Sequence, residues 1–249
     1  MKALVTGASS GIGRDMARYL SGLGYDIIAV ARDGVHLSKL KEELKTNVET
    51  ISIDLADTDA CKQLYELVKN KNIDVLINNA GFGDFGEFTN TDLDKELNMI
   101  DVNIKAMHIL AKLFLQDMVK RNNGYILNVA SIAGFMPGPL MATYYSTKAY
   151  IVRLTQSLYT ELKKKKSKVK VSVLCPGPVN TNFNKVANVH FNLKGQSSEY
   201  VAKYAIDKML KGKLIILPGL KIKLARFLAK ISPEKIVARV CMMMQEKKR

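Results

Sequence analysis

The most informative stretch of the sequence is Thr6-Gly7-Ala8-Ser9-Ser10-Gly11-Ile12-Gly13. It follows an apolar run at residues 3–6 and precedes a segment whose apolar residues have helical spacing. Glycines permit a tight turn here and let backbone N–H groups approach a pyrophosphate at the positive end of the helix. The turn therefore predicts dinucleotide binding, although its glycine spacing differs from the more common Gly-x-Gly-x-x-Gly. The candidate contacts are Gly7, Ser9, Ser10, Gly11, Ile12 and Gly13.

Short aliphatic and β-branched runs alternate with amphipathic segments along the rest of the chain. Such continuous apolar runs suit strands that are buried on both faces of a parallel sheet. The predicted strands are residues 3–6, 27–31, 48–53, 75–78, 125–129, 169–174 and 214–217. The alternation predicts an α/β fold, a doubly wound parallel sheet of seven strands with helices on both faces. Because no linker or repeat interrupts the pattern, residues 1–249 are expected to form a single domain.

A long apolar stripe lies between the fourth and fifth predicted strands. Its residues, alternately four and three apart, are Leu93, Leu97, Ile100, Ile104, Met107, Ala111, Phe114 and Met118. A coiled coil could use this stripe, but no second segment offers a matching partner. The stripe therefore predicts helical packing against the sheet, with a break near Asn103.

Composition excludes several classes of protein. Of the 249 residues, 47% are hydrophobic and 24% are charged, which is unlike a disordered chain or a disulfide scaffold. The three cysteines are far apart and the three histidines are unclustered, so we expect a reduced, cytoplasmic chain without a metal site. Neither a signal peptide nor an apolar stretch of the roughly 20 residues that span a membrane is expected.

The net charge of +15 comes entirely from the last third of the chain. Residues 1–162 carry 17 basic and 19 acidic side chains, whereas residues 163–249 carry 21 basic and 4 acidic ones. This excess favours attraction to anions such as phosphates, acidic lipids or nucleic acid. Part of it is the lysine run at 163–166, which is typical of a solvated helix end. Nucleic-acid binding is not expected, because no aromatic residues interleave with the run.

Arg32 follows the second predicted strand, where an acidic residue would accept hydrogen bonds from the ribose of NAD. An arginine can instead bind the 2′-phosphate of NADP with its forked guanidinium. The sequence thus favours NADP(H), with NAD(H) as the alternative. Pairing of Arg32 with Asp33 or simple solvation is the other explanation.

Tyr144 and Lys148 share one face of a predicted helix. A free tyrosine has a pKa of about 10, and a nearby cation can lower this pKa by about 1–3 units. The pair could therefore exchange protons near neutral pH. Spacing does not distinguish Tyr144 from Tyr145, which lies three residues before Lys148, and a buried aromatic beside a lysine would show the same pattern.

Several further motifs complete an ordered set along the chain. They are Asp54-Leu55, Asn78-Asn79-Ala80-Gly81, Asn103, Ser131, Tyr144-x-x-x-Lys148 and Pro176-Gly177, after the glycine-rich turn. With this set the chain resembles the single-domain branch of the short-chain dehydrogenase/reductase family, in a likeness that extends through Thr181. The resemblance implies a Rossmann-like fold and an NAD(P)-dependent oxidoreductase.

The resemblance also implies a role for each of four residues, Asn103, Ser131, Tyr144 and Lys148. Ser131 would bind the substrate oxygen, and Tyr144, which the resemblance selects over Tyr145, would exchange a proton with it. Lys148 would bind the nicotinamide ribose and keep the tyrosine acidic. Asn103 would support a water molecule through which the proton is replenished.

Further cofactor contacts are implied by the same resemblance. Those on the adenine side are Asp54 and Leu55, those beside the ribose are Asn79, Ala80 and Gly81, and those at the nicotinamide are Pro176, Val179 and Thr181. A turn that stabilises the sheet would also explain residues 78–81. Many NADP-using relatives carry a basic residue before the second glycine, where this chain has Ser10, so Arg32 would act largely alone.

A substrate loop is predicted over residues 182–206. Apolar residues in this loop and after Ser131 favour a hydrophobic ketone or 3-oxoacyl substrate. Core packing explains many of these residues equally well. A basic amphipathic segment over residues 220–249 could cover the substrate site, dock on a second subunit, cap the core or make weak peripheral contact with a membrane. The resemblance also implies a homo-oligomer, through the long helices around Asn103 and Tyr144.

The leading hypothesis is an NADPH-dependent carbonyl reductase. The alternatives are an alcohol or hydroxysteroid dehydrogenase that works in the oxidative direction, and a catalytically silent cofactor-binding interaction protein. Chain length and glycine spacing disfavour nucleotide-sugar epimerases.

Overall fold

A computed structural model describes residues 1–183, 187 and 195–247. Its main feature is a seven-stranded, all-parallel sheet. The strands of this sheet are β1 (Lys2–Thr6), β2 (Asp26–Ala31), β3 (Val48–Ser52), β4 (Val75–Asn78), β5 (Tyr125–Val129), β6 (Lys170–Leu174) and β9 (Ile215–Ile216). Their order in the sheet is β3-β2-β1-β4-β5-β6-β9. Two further strands, β7 (Val179–Asn180) and β8 (Gln196–Ser197), pair with each other. The predicted doubly wound parallel sheet is confirmed.

Strand burial explains why continuous apolar runs predicted the sheet correctly. In β1, Ala3 and Val5 face one hydrophobic cluster while Leu4 faces another on the opposite side. In β2, Ile27 and Ile28 divide in the same way. Because helices cover both faces, both sets of alternate residues must be apolar.

The helices alternate with the strands of the large sheet. They are α1 (Gly11–Gly22), α2 (Gly34–Glu43), α3 (Thr58–Val68), α4 (Leu93–Ile100), α5 (Met107–Lys120), α6 (Ala142–Lys164), α7 (Ser198–Leu210), α8 (Leu220–Ile231) and α9 (Glu234–Glu246). Short 3₁₀ turns occur at Lys69–Lys71 and Ile132–Phe135. Among the described residues, no helix is long and apolar enough to cross a membrane.

The predicted break near Asn103 is a turn of π-helix, Asp101–Ala106, between α4 and α5. The prediction that the whole stripe packs on the sheet is wrong at its start, because Leu93 and Leu97 are exposed. Packing begins at Met99 and continues through Phe114 and Met118, which are buried.

The predicted substrate loop over residues 182–206 is only partly described. Residues 184–186 and 188–194 lie outside the described residues. The end of the predicted loop is not a loop, since α7 begins at Ser198, where the Ser197 side chain accepts a hydrogen bond from the backbone N–H of Tyr200. The lysine run at 163–166 is exposed at the end of α6, as predicted.

Candidate active site

The glycine-rich turn joins β1 to α1 at the carboxyl edge of the sheet, where β1 lies next to β4. Gly7 and Gly11 have positive φ angles of 63° and 55°, which disfavour any residue with a side chain. A Cβ atom at Gly13 would collide with the carbonyl oxygen of Gly7 and the side-chain amide of Asn79. The turn thus places closely packed backbone atoms at the N-terminus of α1. We call this turn, residues 6–13, the glycine-rich cradle, and it fits the pyrophosphate of a dinucleotide. Ser9, Ser10 and Ile12 lie within the same turn and the first residues of α1.

Asn79 and Thr6 hold the turn against the end of β4. The Thr6 hydroxyl accepts hydrogen bonds from the backbone N–H groups of Asn79 and Ala80 at 2.9 and 3.1 Å. The Asn79 amide donates to the carbonyl oxygens of Thr6 and Gly7 at 3.0 and 3.2 Å. The side chain of Asn79 therefore stabilises the glycine-rich cradle. This agrees with the alternative explanation of residues 78–81 as a turn that stabilises the sheet.

Arg32 and Asp54 face each other beyond the ends of β2 and β3. Their nearest charged atoms, Arg32 Nη1 and Asp54 Oδ2, are 3.8 Å apart, and the Arg32 side chain is 69% exposed. Asp33 is used elsewhere, because it caps α2 through the backbone N–H of His36. The predicted alternative of an Arg32–Asp33 pair is not the arrangement seen. Leu55 turns its side chain into the core.

Asn103 occupies the π-helical turn and is fully buried. Its side-chain amide donates to the Phe82 carbonyl at 2.9 Å and to the Thr147 hydroxyl at 3.0 Å, and its Oδ1 accepts from the Phe82 N–H at 3.0 Å. The Thr147 hydroxyl donates to the Tyr144 carbonyl at 2.7 Å. Sequence reasoning missed Thr147, although it lies inside the Tyr144-x-x-x-Lys148 motif.

Lys148 lies next to Asn103 with its ammonium group buried at the end of β5. Its Nζ donates to the Val129 carbonyl at 3.1 Å. Gly81 leaves the space between them, because a Cβ atom there would lie 2.7 Å from Asn103 Oδ1 and 3.3 Å from Lys148 Nζ. Burial lowers the pKa of Lys148 to about 8, while the nearby Cys175 thiol acts in the opposite direction.

Tyr144 extends from the first turn of α6 toward Ser131, which follows β5. Burial raises the pKa of Tyr144 to about 12, and a hydrogen bond with the Ser131 side chain acts in the opposite direction. The prediction that the lysine lowers this pKa does not hold in the structure. Lys148 Nζ is 5.7 Å from the centre of the Tyr144 ring and is directed to the Val129 carbonyl.

The neighbouring Tyr145 is turned away from this cluster. Its hydroxyl accepts a hydrogen bond from Gln245 Nε2 of α9 at 2.8 Å, and its ring fills the space beside Gly138. The two tyrosines therefore occupy different environments, and the arrangement of Ser131 and Lys148 favours Tyr144.

The segment after β6 approaches the glycine-rich turn. A Cβ atom at Gly11 would lie 3.1 Å from Thr181 Cγ2. The Pro176 carbonyl accepts from the Ile132 N–H at 2.9 Å, and Val179 belongs to β7. The glycine-rich turn and the candidate catalytic residues thus lie at the same edge of the sheet.

Phe183 covers Tyr144 on the side of the expected substrate. The two ring centres are 5.4 Å apart, and Phe183 also fills the space beside Gly83. Met141 and Phe85 belong to the same small hydrophobic cluster. The surroundings of the Tyr144 ring on this side are therefore apolar. A separate open groove of about 470 Å³ lies at the amino edge of the sheet, near Lys2 and Asp26, away from the candidate site residues.

Comparison with known proteins agrees with this geometry. The family model for short chain dehydrogenases matches residues 1–190. An uncharacterized oxidoreductase of Staphylococcus epidermidis is 37% identical over 182 residues, which cover 72% of this chain and 78% of that protein. A very-long-chain 3-oxoacyl-CoA reductase of Mycosarcoma maydis is 33% identical over 193 residues, covering 74% of this chain and 55% of that protein.

A solved structure extends the likeness to the fold. The short-chain dehydrogenase from Sphingobium yanoikuyae in complex with NADPH is 29% identical, with a TM-score of 0.84 and coverage of 92% of this chain and 91% of that one. Fold and matches together define a nucleotide-dependent dehydrogenase or reductase. More narrowly, the chain belongs to the short-chain dehydrogenase/reductase family.

Proposed function

We propose that this protein is an NADPH-dependent reductase that converts the carbonyl of a hydrophobic ketone or 3-oxoacyl compound to an alcohol. The observation that carries the proposal is the cluster of Ser131, Tyr144 and Lys148 beside the glycine-rich cradle. Tyr144 would supply a proton donor and Ser131 a second hydrogen-bond donor to one carbonyl oxygen, with the buried Lys148 close by.

Each residue of the cluster has a distinct task in this reaction. When bound, the reduced nicotinamide supplies the hydride that adds to the carbonyl carbon. The Ser131 hydroxyl binds the carbonyl oxygen and stabilises its developing negative charge. Tyr144 transfers its phenolic proton to that oxygen, which completes the alcohol. Lys148 would bind the ribose of the nicotinamide nucleotide, and Asn103 would support a water molecule from which Tyr144 regains its proton.

Tyr144 carries the proton that carbonyl reduction needs, because burial raises its pKa to about 12 and the phenol is protonated at neutral pH. The same residues would serve the rival oxidative dehydrogenase in reverse. Initial rates with NADPH and ketone, compared with those with the oxidised cofactor and alcohol, separate the two directions.

For the cofactor we propose NADP(H) over NAD(H). Arg32 supports this choice because it is exposed at the end of β2, and its ionic contact with Asp54 is long, at 3.8 Å. Its guanidinium is therefore available to bind a 2′-phosphate. The similar Sphingobium yanoikuyae structure contains NADPH.

The substrate class rests on the apolar surroundings of Tyr144. Phe183, Met141 and Phe85 would contact the groups that flank the carbonyl. Similarity to a very-long-chain 3-oxoacyl-CoA reductase supports an acyl-bearing ketone. The part of the predicted substrate loop that precedes α7 would contribute the remaining contacts.

We also propose that the whole chain acts as one catalytic unit, in a reducing, cytoplasmic setting and as a homo-oligomer. The three cysteines are buried and lie far apart in the sequence. Leu93 and Leu97, exposed on α4, would be covered by a second subunit. Sedimentation velocity of the purified chain measures this association.

A panel of apolar ketones and 3-oxoacyl thioesters, assayed by loss of NADPH absorbance, tests the function. We expect Tyr144→Phe to bind NADPH normally but to lose turnover by at least about 100-fold. Tyr145→Phe is the matched control and should retain turnover. If Tyr145→Phe is the inactive variant, the assigned proton donor is wrong. If the unmodified chain binds NADPH but reduces nothing, a cofactor-binding interaction protein becomes the better description.

A further inference from the structure

The last two helices, α8 and α9, form what we call the C-terminal helix pair, residues 220–247. Its inner side contacts the body of the protein beside the candidate active site. Ile222 fills the space next to Gly177, and the Arg226 guanidinium lies 4.6 Å from the centre of the Phe135 ring. On α9, Gln245 is buried and binds Tyr145. The pair is therefore seated through these inner residues.

The outer side of the pair is apolar although it faces solvent. On α8, positions 220, 224, 227, 228 and 231 repeat at helical spacing, and on α9 so do 236, 240, 243 and 244. Exposure ranges from 49% at Leu228 and Val240 to 80% at Leu220. The exposed apolar residues of the pair are Leu220, Leu224, Phe227, Leu228, Ile231, Ile236, Val240, Met243 and Met244. An ordinary surface helix would direct such a stripe inward.

Basic side chains flank the outer stripes. Residues 220–247 contain seven basic and two acidic residues, and α8 alone contains four basic residues and no acidic one. On α8, Lys221 lies on one side of the stripe, while Lys223 and Lys230 lie on the other. An apolar stripe between cations is the pattern of a helix that lies in the interface of an anionic membrane.

We propose that the C-terminal helix pair docks in the plane of an anionic lipid bilayer, with its outer stripes at the acyl boundary and its lysines at the phosphate headgroups. Charge complementarity selects this occupant. A second copy would bring the same positive charge to the same surface, which disfavours self-association. A polyanion such as nucleic acid would match the lysines but leave the apolar stripes exposed to water.

Vesicle flotation with the full-length protein tests the docking without reference to enzyme activity. Vesicles of equimolar phosphatidylcholine and phosphatidylglycerol should bind the protein, whereas vesicles of phosphatidylcholine alone should bind far less. The triple variant Lys221→Gln/Lys223→Gln/Lys230→Gln should reduce partitioning about 100-fold. The matched control, Lys163→Gln/Lys164→Gln/Lys165→Gln, removes the same charge at the end of α6 and should reduce it much less.

The apolar contribution is tested separately with Leu224→Ser/Phe227→Ser, which should weaken partitioning at least about tenfold. Leu67→Ser and Leu23→Ser are controls because both replace exposed leucines outside the pair. Thermal unfolding and NADPH binding confirm that each variant is folded. The proposal would be overturned if both lysine triple variants lost vesicle partitioning equally, or if Leu224→Ser/Phe227→Ser partitioned like the unmodified protein. It would also be overturned if the serine double variant reduced the number of subunits in the oligomer.

Discussion

Replacing Thr147 by valine removes the hydroxyl that connects Asn103 to the start of α6 and nearly preserves side-chain shape. Thr147 is 1% exposed, and its hydroxyl accepts one hydrogen bond and donates another, at 3.0 and 2.7 Å. Each bond contributes about 0.5–1.5 kcal/mol net, so we expect the free energy of unfolding to fall by about 1–3 kcal/mol. The buried Asn103 amide keeps the Phe82 carbonyl as an acceptor, which limits the loss.

The same substitution should affect turnover more than cofactor binding. Thr147 does not contact the glycine-rich cradle, so the Kd for NADPH should stay unchanged. Loss of its hydroxyl lets Asn103 and Tyr144 shift relative to each other, and we expect kcat to fall roughly 10- to 100-fold. Urea unfolding measures stability, and NADPH oxidation with an active ketone measures kcat.

Thr147→Ser is the matched control because it keeps the hydroxyl and should retain most of kcat. A double-mutant cycle with Asn103→Ala should give a coupling energy of about 1 kcal/mol in stability, since the two side chains share a hydrogen bond. Additive effects of the two substitutions, together with an unchanged kcat for Thr147→Val, would refute the positioning role.

Three other predictions address the cradle, the lysine and the cofactor. Gly13→Ala should destabilise the fold by about 1–3 kcal/mol and abolish NADPH binding measured by fluorescence, because there is no room for its Cβ atom. Gly22→Ala is the control and should have neither effect, because Gly22 lies in the same helix with open space around it. The kcat/KM of reduction should fall as the pH rises through about 8, where buried Lys148 loses its proton. The Lys148→Arg variant should be slower but should not show this fall, because its side chain stays charged. A fall that persists in this variant would mean that another group titrates. Arg32→Ala should raise the KM for NADPH but not for NADH, by about 10-fold or more, whereas Lys39→Ala should change neither; equal effects on both cofactors would remove Arg32 as the 2′-phosphate contact.

The lowered pKa of Lys148 has the opposite effect on stability, which should increase with pH. The pKa of this lysine is about 8 in the folded chain and about 10.4 in an unfolded one. Between these pH values the unfolded chain binds more protons, so this group makes folding more favourable as the pH rises through the window. Lys148→Met should remove that contribution from the pH dependence of urea unfolding.

Much of the candidate site follows from local sequence. Gly7 and Gly11 occur where φ is positive, and Tyr144 and Lys148 share a helix face because they are four residues apart. By contrast, the contact between Asn103 and Thr147 joins residues 44 positions apart. No local periodicity reveals such a pair, so its importance could be recognised only once π-helix and α6 lay side by side.

The sequence alone determined all seven strands of the large sheet and the glycine-rich cradle after β1. This was possible because backbone propensity, and the need for apolar residues on both faces of the sheet, can be read at each residue. Tertiary structure decided what depends on surroundings. It raised the pKa of Tyr144 by burying the phenol while the Lys148 ammonium turned to Val129. It also directed the apolar stripe of α8 outward, because Ile222 and Arg226 occupy the inner side of that helix. Burial and charge environment are properties of packed neighbours, and those neighbours are brought together only by the fold.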